Sequence, residues 1–136
     1  MVRVAVKLLA QLNDGEAGYI GAHWIYNSED PLAVGLALPP DTEKESEEEN
    51  TWLFSRSLLA EALNHPKKSF GLDVKVLVAG RSTIIRLDNG ECVFRVVTST
   101  KNVKEFLKKT YQQLPIEREQ SIIDESLNSF LASVKK

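Results

Sequence analysis

Cysteine is nearly absent from this chain: Cys92 is the only one in 136 residues. A single thiol excludes an internal disulfide framework and a cysteine-built zinc site. Histidine is almost as scarce, with His23 and His65 alone. There is no His-x-x-x-His and no carboxylate–histidine cluster, so the close spacing that a metal site needs is missing. No Gly-x-Ser-x-Gly elbow presents a nucleophilic serine. The seven glycines are scattered among turns and build neither a Gly-x-Gly-x-x-Gly nor a Gly-Lys-Ser/Thr phosphate cradle. No apolar run approaches the ~18–20 residues that span a bilayer. The opening stretch, MVRVAVKLLAQLNDG, is cut by Arg3 and Lys7 and does not read as a signal peptide. What remains, 43% apolar and 26% charged, is the composition of an ordinary globular domain. The expectation is a soluble, cytoplasmic single domain over residues 1–136, not an enzyme, with no cofactor and no metal.

Charge is present but unevenly placed. The formal net value of −2 lacks the strong basic excess of a nucleic-acid binder. Residues 39–50, PPDTEKESEEEN, hold six acids against Lys44. Without them the remainder carries 13 acidic and 16 basic side chains, a net +3. The stretch lacks the alternating Asp/Asn ligands and central glycine of an EF-hand, and self-repulsion makes it a solvated loop.

Periodicity then supplies the elements. Val2, Val4, Val6 and Leu8 share one parity, which is the period of a half-buried strand over residues 2–9. Asn13-Asp14-Gly15 follows as a turn in which Gly15 can take positive φ. Strands are expected at 19–26, 33–38 and 51–54, with Asp30-Pro31 turning between the first two and Pro39-Pro40 ending the second. Ser55 caps a short helix carrying Leu58, Leu59, Ala62 and Leu63 on one face, stapled by Phe54 and Leu59. Strands at 74–79, 82–87 and 92–97 follow, the last two joined by Asp88-Asn89-Gly90. Two helices close the chain. Val103, Phe106, Leu107, Thr110 and Leu114 line one, capped by Ser99 or Thr100. The other starts near Ser121 and turns Ile122, Ile123, Leu127, Phe130, Leu131 and Val134 inward. Short links make the strands antiparallel, and the fold class is α+β, with about seven to eight strands and three helices.

Few residues invite chemistry. Cys92 reads as a small core residue on the parity of Phe94 and Val96, and the two histidines as structural or surface residues. Lys75, Arg81, Arg86 and Arg95 lie on neighbouring expected strands and could track a phosphate backbone, or simply form a solvated face beside Asp88 and Glu91.

One ordered series of residues carries a family signal. Tyr26-x-x-x-Asp30-Pro31-x-Ala33-Val34 is followed by Trp52-x-Phe54-x-Arg56-x-Leu58-Leu59-x-Glu61-x-Leu63. Pro66, Gly71-x-Asp73-Val74, Phe106-Leu107-x-x-Thr110 and Pro115 complete it. The series resembles the SsgA/SsgB-like family of actinobacterial sporulation and cell division proteins over roughly residues 5–135. Read as residues, Trp52, Phe54, Leu58, Leu59 and Leu63 tie a strand to the short helix, Asp30 and Pro31 set a turn, and Arg56 and Glu61 pair across the helix or face a partner.

The resemblance implies a non-enzymatic division factor with a Whirly-like fold, assembled as a homotrimer. SsgB-like members mark the septum and recruit the tubulin-like protein FtsZ, while SsgA-like members position SsgB. It implies a cytoplasmic protein recruited to division septa, whose partner is FtsZ or another division or positioning protein, with no direct membrane insertion. Tyr19, Ile20, Trp24 and Ile25 are the candidates for a trimer interface, unless they belong to the chain's own core. A Whirly-like binder of single-stranded nucleic acid, using Lys75, Arg81, Arg86 and Arg95, is the alternative.

Overall fold

A computed structural model describes residues 1–13, 15–39 and 50–134. The acidic loop expected at 39–50 therefore lies outside the described residues from 40 to 49. Eight strands form one antiparallel sheet: β1 (Val2–Leu12), β2 (Gly18–Tyr26), β3 (Ala33–Leu38), β4 (Asn50–Ser55), β5 (Ser69–Gly71), β6 (Val74–Ala79), β7 (Ser82–Asp88) and β8 (Val93–Ser99). Helix α1 (Arg56–Asn64) follows β4, and α2 (Thr100–Gln113) follows β8. A 3₁₀ turn (Ile116–Arg118) then leads into α3 (Glu119–Val134). The order across the sheet is β4-β3-β2-β1-β8-β7-β6-β5. It consists of two four-stranded meanders, each ending in a helix, joined edge to edge by the pairing of β1 with β8.

Alternation decides which face is covered. Val6, Leu8 and Ala10 of β1 point to the same side as Ala22, Trp24 and Tyr26 of β2 and as Val34, Leu36 and Leu38 of β3. In the second meander Val74, Val76, Val78, Ile85, Leu87 and Val96 continue that layer. Leu59 and Ala62 of α1, with Val103, Phe106 and Leu107 of α2, close over it. Trp24 stacks on Phe106 at 5.2 Å between ring centroids and meets Phe54 edge-on at 6.3 Å. Phe54 and Leu59, the expected staple, both lie in this core.

Turn chemistry fixes the ends. Ser55 caps α1, its Oγ accepting from the Leu58 N–H at 3.3 Å. Gly90 takes φ 90° in the β7–β8 turn, where Asn89 Oδ1 accepts from the Glu91 and Cys92 N–H groups. In the β1–β2 turn the left-handed residue is Asn13, at φ 52°, rather than Gly15. Asn13 also donates its N–H to Val93 and accepts from Val93 through Oδ1, so β8 helps set this turn beside its local bonds from the Gly15 N–H to Leu12 and from the Gln11 side chain to Gly15. Gly71 has φ 106°, and a Cβ there would lie 1.9 Å from the Val74 carbonyl oxygen. Gly71→Ala is expected to cost about 3 kcal/mol in urea unfolding, because the backbone between β5 and β6 must move.

The short β5 completes the seven to eight strands expected but had no range of its own, since three residues of half-exposed backbone give no periodic signal. Three sequence expectations need correction. Cys92 sits before β8 in the turn and is only half-buried, so it is not a core residue. Helix α3 starts at Glu119 from the 3₁₀ turn, so Ser121 lies inside it and caps nothing. Above all, the inward face expected of α3 is outward. Ile123, Leu127, Phe130 and Leu131 are 44–63% exposed, Ile122 is half-buried, and the Val134 side chain lies outside what is described.

Candidate functional site

The family-type residues converge on one buried cation. Arg56 opens α1 on its apolar face and is fully buried. Its Nε donates to Glu119 Oε1 at 2.8 Å, and Nη2 lies 2.7 Å from the same oxygen without hydrogen-bond alignment. Nη1 donates to the carbonyls of Leu114 at 2.8 Å and Thr110 at 3.3 Å, so it caps the C-terminal end of α2. The guanidinium also lies over Tyr111 at 4.6 Å and Tyr26 at 5.6 Å from the ring centroids. Burial pushes the Tyr26 and Tyr111 phenols above their ordinary value, against the lowering pull of Arg56. Tyr26 Oη donates to the Pro31 carbonyl at 3.0 Å, and the Arg56 N–H donates to the Leu32 carbonyl at 2.8 Å.

One side chain thus joins the Asp30-Pro31 turn, α1, the end of α2 and the start of α3. Of the two roles open to Arg56 and Glu61, pairing across the helix is not what Arg56 does: Glu61 is exposed, and the carboxylate on Arg56 is Glu119, 63 residues away. The remaining motif residues support this arrangement. Asp30 receives the Ala33 N–H on its carbonyl at 3.3 Å, closing the turn. Trp52, Phe54, Leu58 and Leu59 lie in or against the core. These residues hold the fold together, and none of them forms an open site.

The sheet face away from α1 and α2 holds the surface candidates. Parity separates the four proposed interface residues. Trp24 is fully buried and belongs to the chain's own core, and Ile20 packs against that core. Trp24 is therefore not available to another protomer as this chain is folded, whereas Ile20 is half-buried and lines the open depression between β1 and β2. Tyr19, 70% exposed, and the half-buried Ile25 lie on the other side. The register then reveals what sequence reasoning missed. Tyr19, Leu9, Val97, Ile84 and Leu77 are successive partners across β2, β1, β8, β7 and β6, an apolar row on the uncovered face. Odd-numbered apolar residues in β1 and β8 were its only signal. Near Tyr19, whose ring lies under the Lys7 ammonium at 4.9 Å, β1 and β2 frame an open depression of about 560 Å³.

The basic residues are brought together in part. Lys75, Arg86 and Arg95 are register partners across β6, β7 and β8, beside the apolar row. Arg81 is outside the row, in the β6–β7 turn, where its carbonyl accepts the Thr100 N–H. Arg86 Nη2 is 3.4 Å from Asp88 Oδ2, and Arg95 donates to the Asn13 carbonyl. Among the described residues no three His, Cys, Asp or Glu side chains come together to hold a metal, and no helix is long and apolar enough to cross a membrane.

Residues 20–119 match the family described as SsgA, the Streptomyces sporulation and cell division protein. A sporulation-specific cell division protein of Frankia casuarinae is 30% identical over 115 residues, covering 82% of this chain and 74% of that protein. Among solved structures, SsgB of Streptomyces coelicolor, in which mutations correlate to longitudinal cell division during sporulation, superimposes with a TM-score of 0.70. It is 26% identical, with 88% of this chain and 93% of that chain covered. An SsgA-like sporulation-specific cell division protein from Thermobifida fusca has the same fold, with a TM-score of 0.72, 23% identity, and coverage of 97% and 93%.

Proposed function

We propose, because this chain belongs to the SsgA family of sporulation and cell division proteins, that it is a non-enzymatic division adaptor which marks septum sites and recruits FtsZ. The observation that carries the reading is the family match over residues 20–119, which runs from β2 through the second meander and includes both Arg56 and Glu119. Contact surfaces support it physically. The row from Tyr19 to Leu77 and the Tyr19 and Ile25 positions offer apolar area for self-association as a homotrimer. Residues 1–136 act as one domain, in a Whirly-like arrangement. Three identical weak sites on one rigid body raise avidity for a polymer without any catalytic group. The protein works in the cytoplasm and is recruited to septa by a positioning protein before it recruits FtsZ. Co-sedimentation with polymerised FtsZ from the same host tests this directly: the adaptor pellets with polymer and stays in solution without it.

A second reading, a Whirly-like binder of single-stranded nucleic acid, draws on the Lys75–Arg86–Arg95 row. It is the weaker of the two. Arg81 stands apart, Asp88 engages Arg86, and the neighbouring residues at that level, Gln11 and Gly71, provide no ring for base stacking.

A further inference from the structure

The geometry points to α3 as an exchanged helix that docks into the groove between α1 and α2 of a second copy of this chain. The inference rests on the homo-oligomer reading above and adds to it a contact separate from the sheet face. Every residue of α3 from Ile123 to Ala132 is exposed, and the stripe of Ile123, Leu127 and Leu131 falls on one side at helical spacing. A helix of 16 residues draws most of its stability from burying such a stripe, and the described part of this chain leaves it uncovered.

The same chain carries a matching receptor. Between α1 and α2 lies a groove of about 370 Å³ with an apolar floor that includes Leu63, Leu107, Tyr111 and Ile116, and a rim of Lys104 and Lys108. No residue of α3 lines it. Ile116, at its end, stands three residues before α3 begins, while the Arg56–Glu119 contact pins the start of that helix.

Charge selects the occupant. Helix α3 contains Glu119, Asp124 and Glu125 and no Lys or Arg, whereas α2 contains Lys101, Lys104, Lys108 and Lys109 against Glu105. Asp124 follows the stripe on the side of Leu131, where it faces a lysine rim once the stripe is seated. A helix-to-groove contact uses two different patches, so it closes either as a reciprocal exchange between two copies or, passed on from copy to copy, as a ring when the rotation allows. An apolar partner of another kind would not need the acid–lysine match.

Light scattering of the full-length protein at chromatographic separation, with sedimentation velocity, reads the outcome. Wild type is expected to be oligomeric, and the Leu127→Asp/Leu131→Asp variant to assemble roughly 100-fold more weakly, since a carboxylate cannot enter the apolar floor without losing its hydration. These positions are exposed in the protomer, so an unchanged far-ultraviolet circular dichroism spectrum with a cooperative melt shows that folding is intact, while the midpoint itself falls with the lost assembly. Lys104→Glu/Lys108→Glu is expected to weaken assembly by about tenfold, and adding Asp124→Lys/Glu125→Lys to the same chain to restore it. In a Cys92→Ser background, Leu63→Cys/Leu127→Cys should form disulfides between chains. Leu127→Asp/Leu131→Asp protein that keeps the wild-type mass overturns the exchanged helix and leaves the homo-oligomer standing. Disulfides confined within single chains overturn it in favour of the helix folding onto its own groove. A monomeric wild type overturns the homo-oligomer reading itself and the exchange with it.

Discussion

Replacing Arg56 by methionine is expected to lower the unfolding free energy by about 3–5 kcal/mol. Methionine fills much of the same volume, so the loss comes from the groups left behind rather than from a cavity. Glu119 would keep a mostly buried carboxylate without its cation, and the Leu114 and Thr110 carbonyls at the end of α2 would lose their donor. A domain of this kind has a total stability of about 5–15 kcal/mol, so the change removes a large share of it. Arg56→Lys keeps the charge but not the planar fork that reaches Glu119 and two carbonyls together, and it should recover only part of the loss. The urea midpoint, read at constant slope, measures both. Pairing Arg56→Met with Glu119→Leu should be milder than Arg56→Met alone, because no unpaired charge remains. An Arg56→Met midpoint equal to that of wild type would show that the junction of α1, α2 and α3 does not depend on this cation.

Trp24→Ala is the second large effect, at about 3–5 kcal/mol. The indole is fully buried between the stacked ring of Phe106 and the edge of Phe54, so it bridges the sheet, β4 and α2. Truncation leaves a cavity walled by rings from two elements, Phe54 of β4 and Phe106 of α2, which cannot both collapse into it. Trp24→Phe should cost much less. The Trp24 Nε1 donor finds no acceptor among the described residues, so phenylalanine removes an unsatisfied group while keeping the stack. Equal destabilisation by alanine and phenylalanine would mean that ring packing is not what Trp24 contributes.

These two residues also show how far the sequence could be read. Trp24 shares a parity with Ala22 and Tyr26, and period two was enough to place it on the covered face once β2 was recognised. Its trial as an interface residue came from grouping neighbours 19, 20, 24 and 25 by nearness along the chain, whereas a strand sends odd and even residues to opposite sides. Arg56 left a fainter trace: it falls at the spacing of Leu59 and Leu63, on the apolar face of its own helix. That position announces a buried cation without naming its partner, because Glu119 lies across 63 residues of chain and no local spacing connects them.

Helix α3 marks the limit of periodicity from the other side. Its 3.6-residue stripe was legible and real, yet amphipathicity records only that a face wants cover. Whether that cover comes from the same chain is a tertiary fact, and here the described chain does not supply it. The apolar row from Tyr19 to Leu77 was illegible for a related reason. Its members are one residue per strand, gathered only by register.

One measurement meets directly the proposal that these surfaces serve a division polymer. Purified protein is sedimented with increasing polymerised FtsZ from the same host, at low and at moderate salt. Saturable pelleting that persists at moderate salt and disappears when FtsZ is kept unpolymerised is the result predicted, since avidity requires many sites on one filament. Protein that remains in the supernatant at every FtsZ concentration would contradict it.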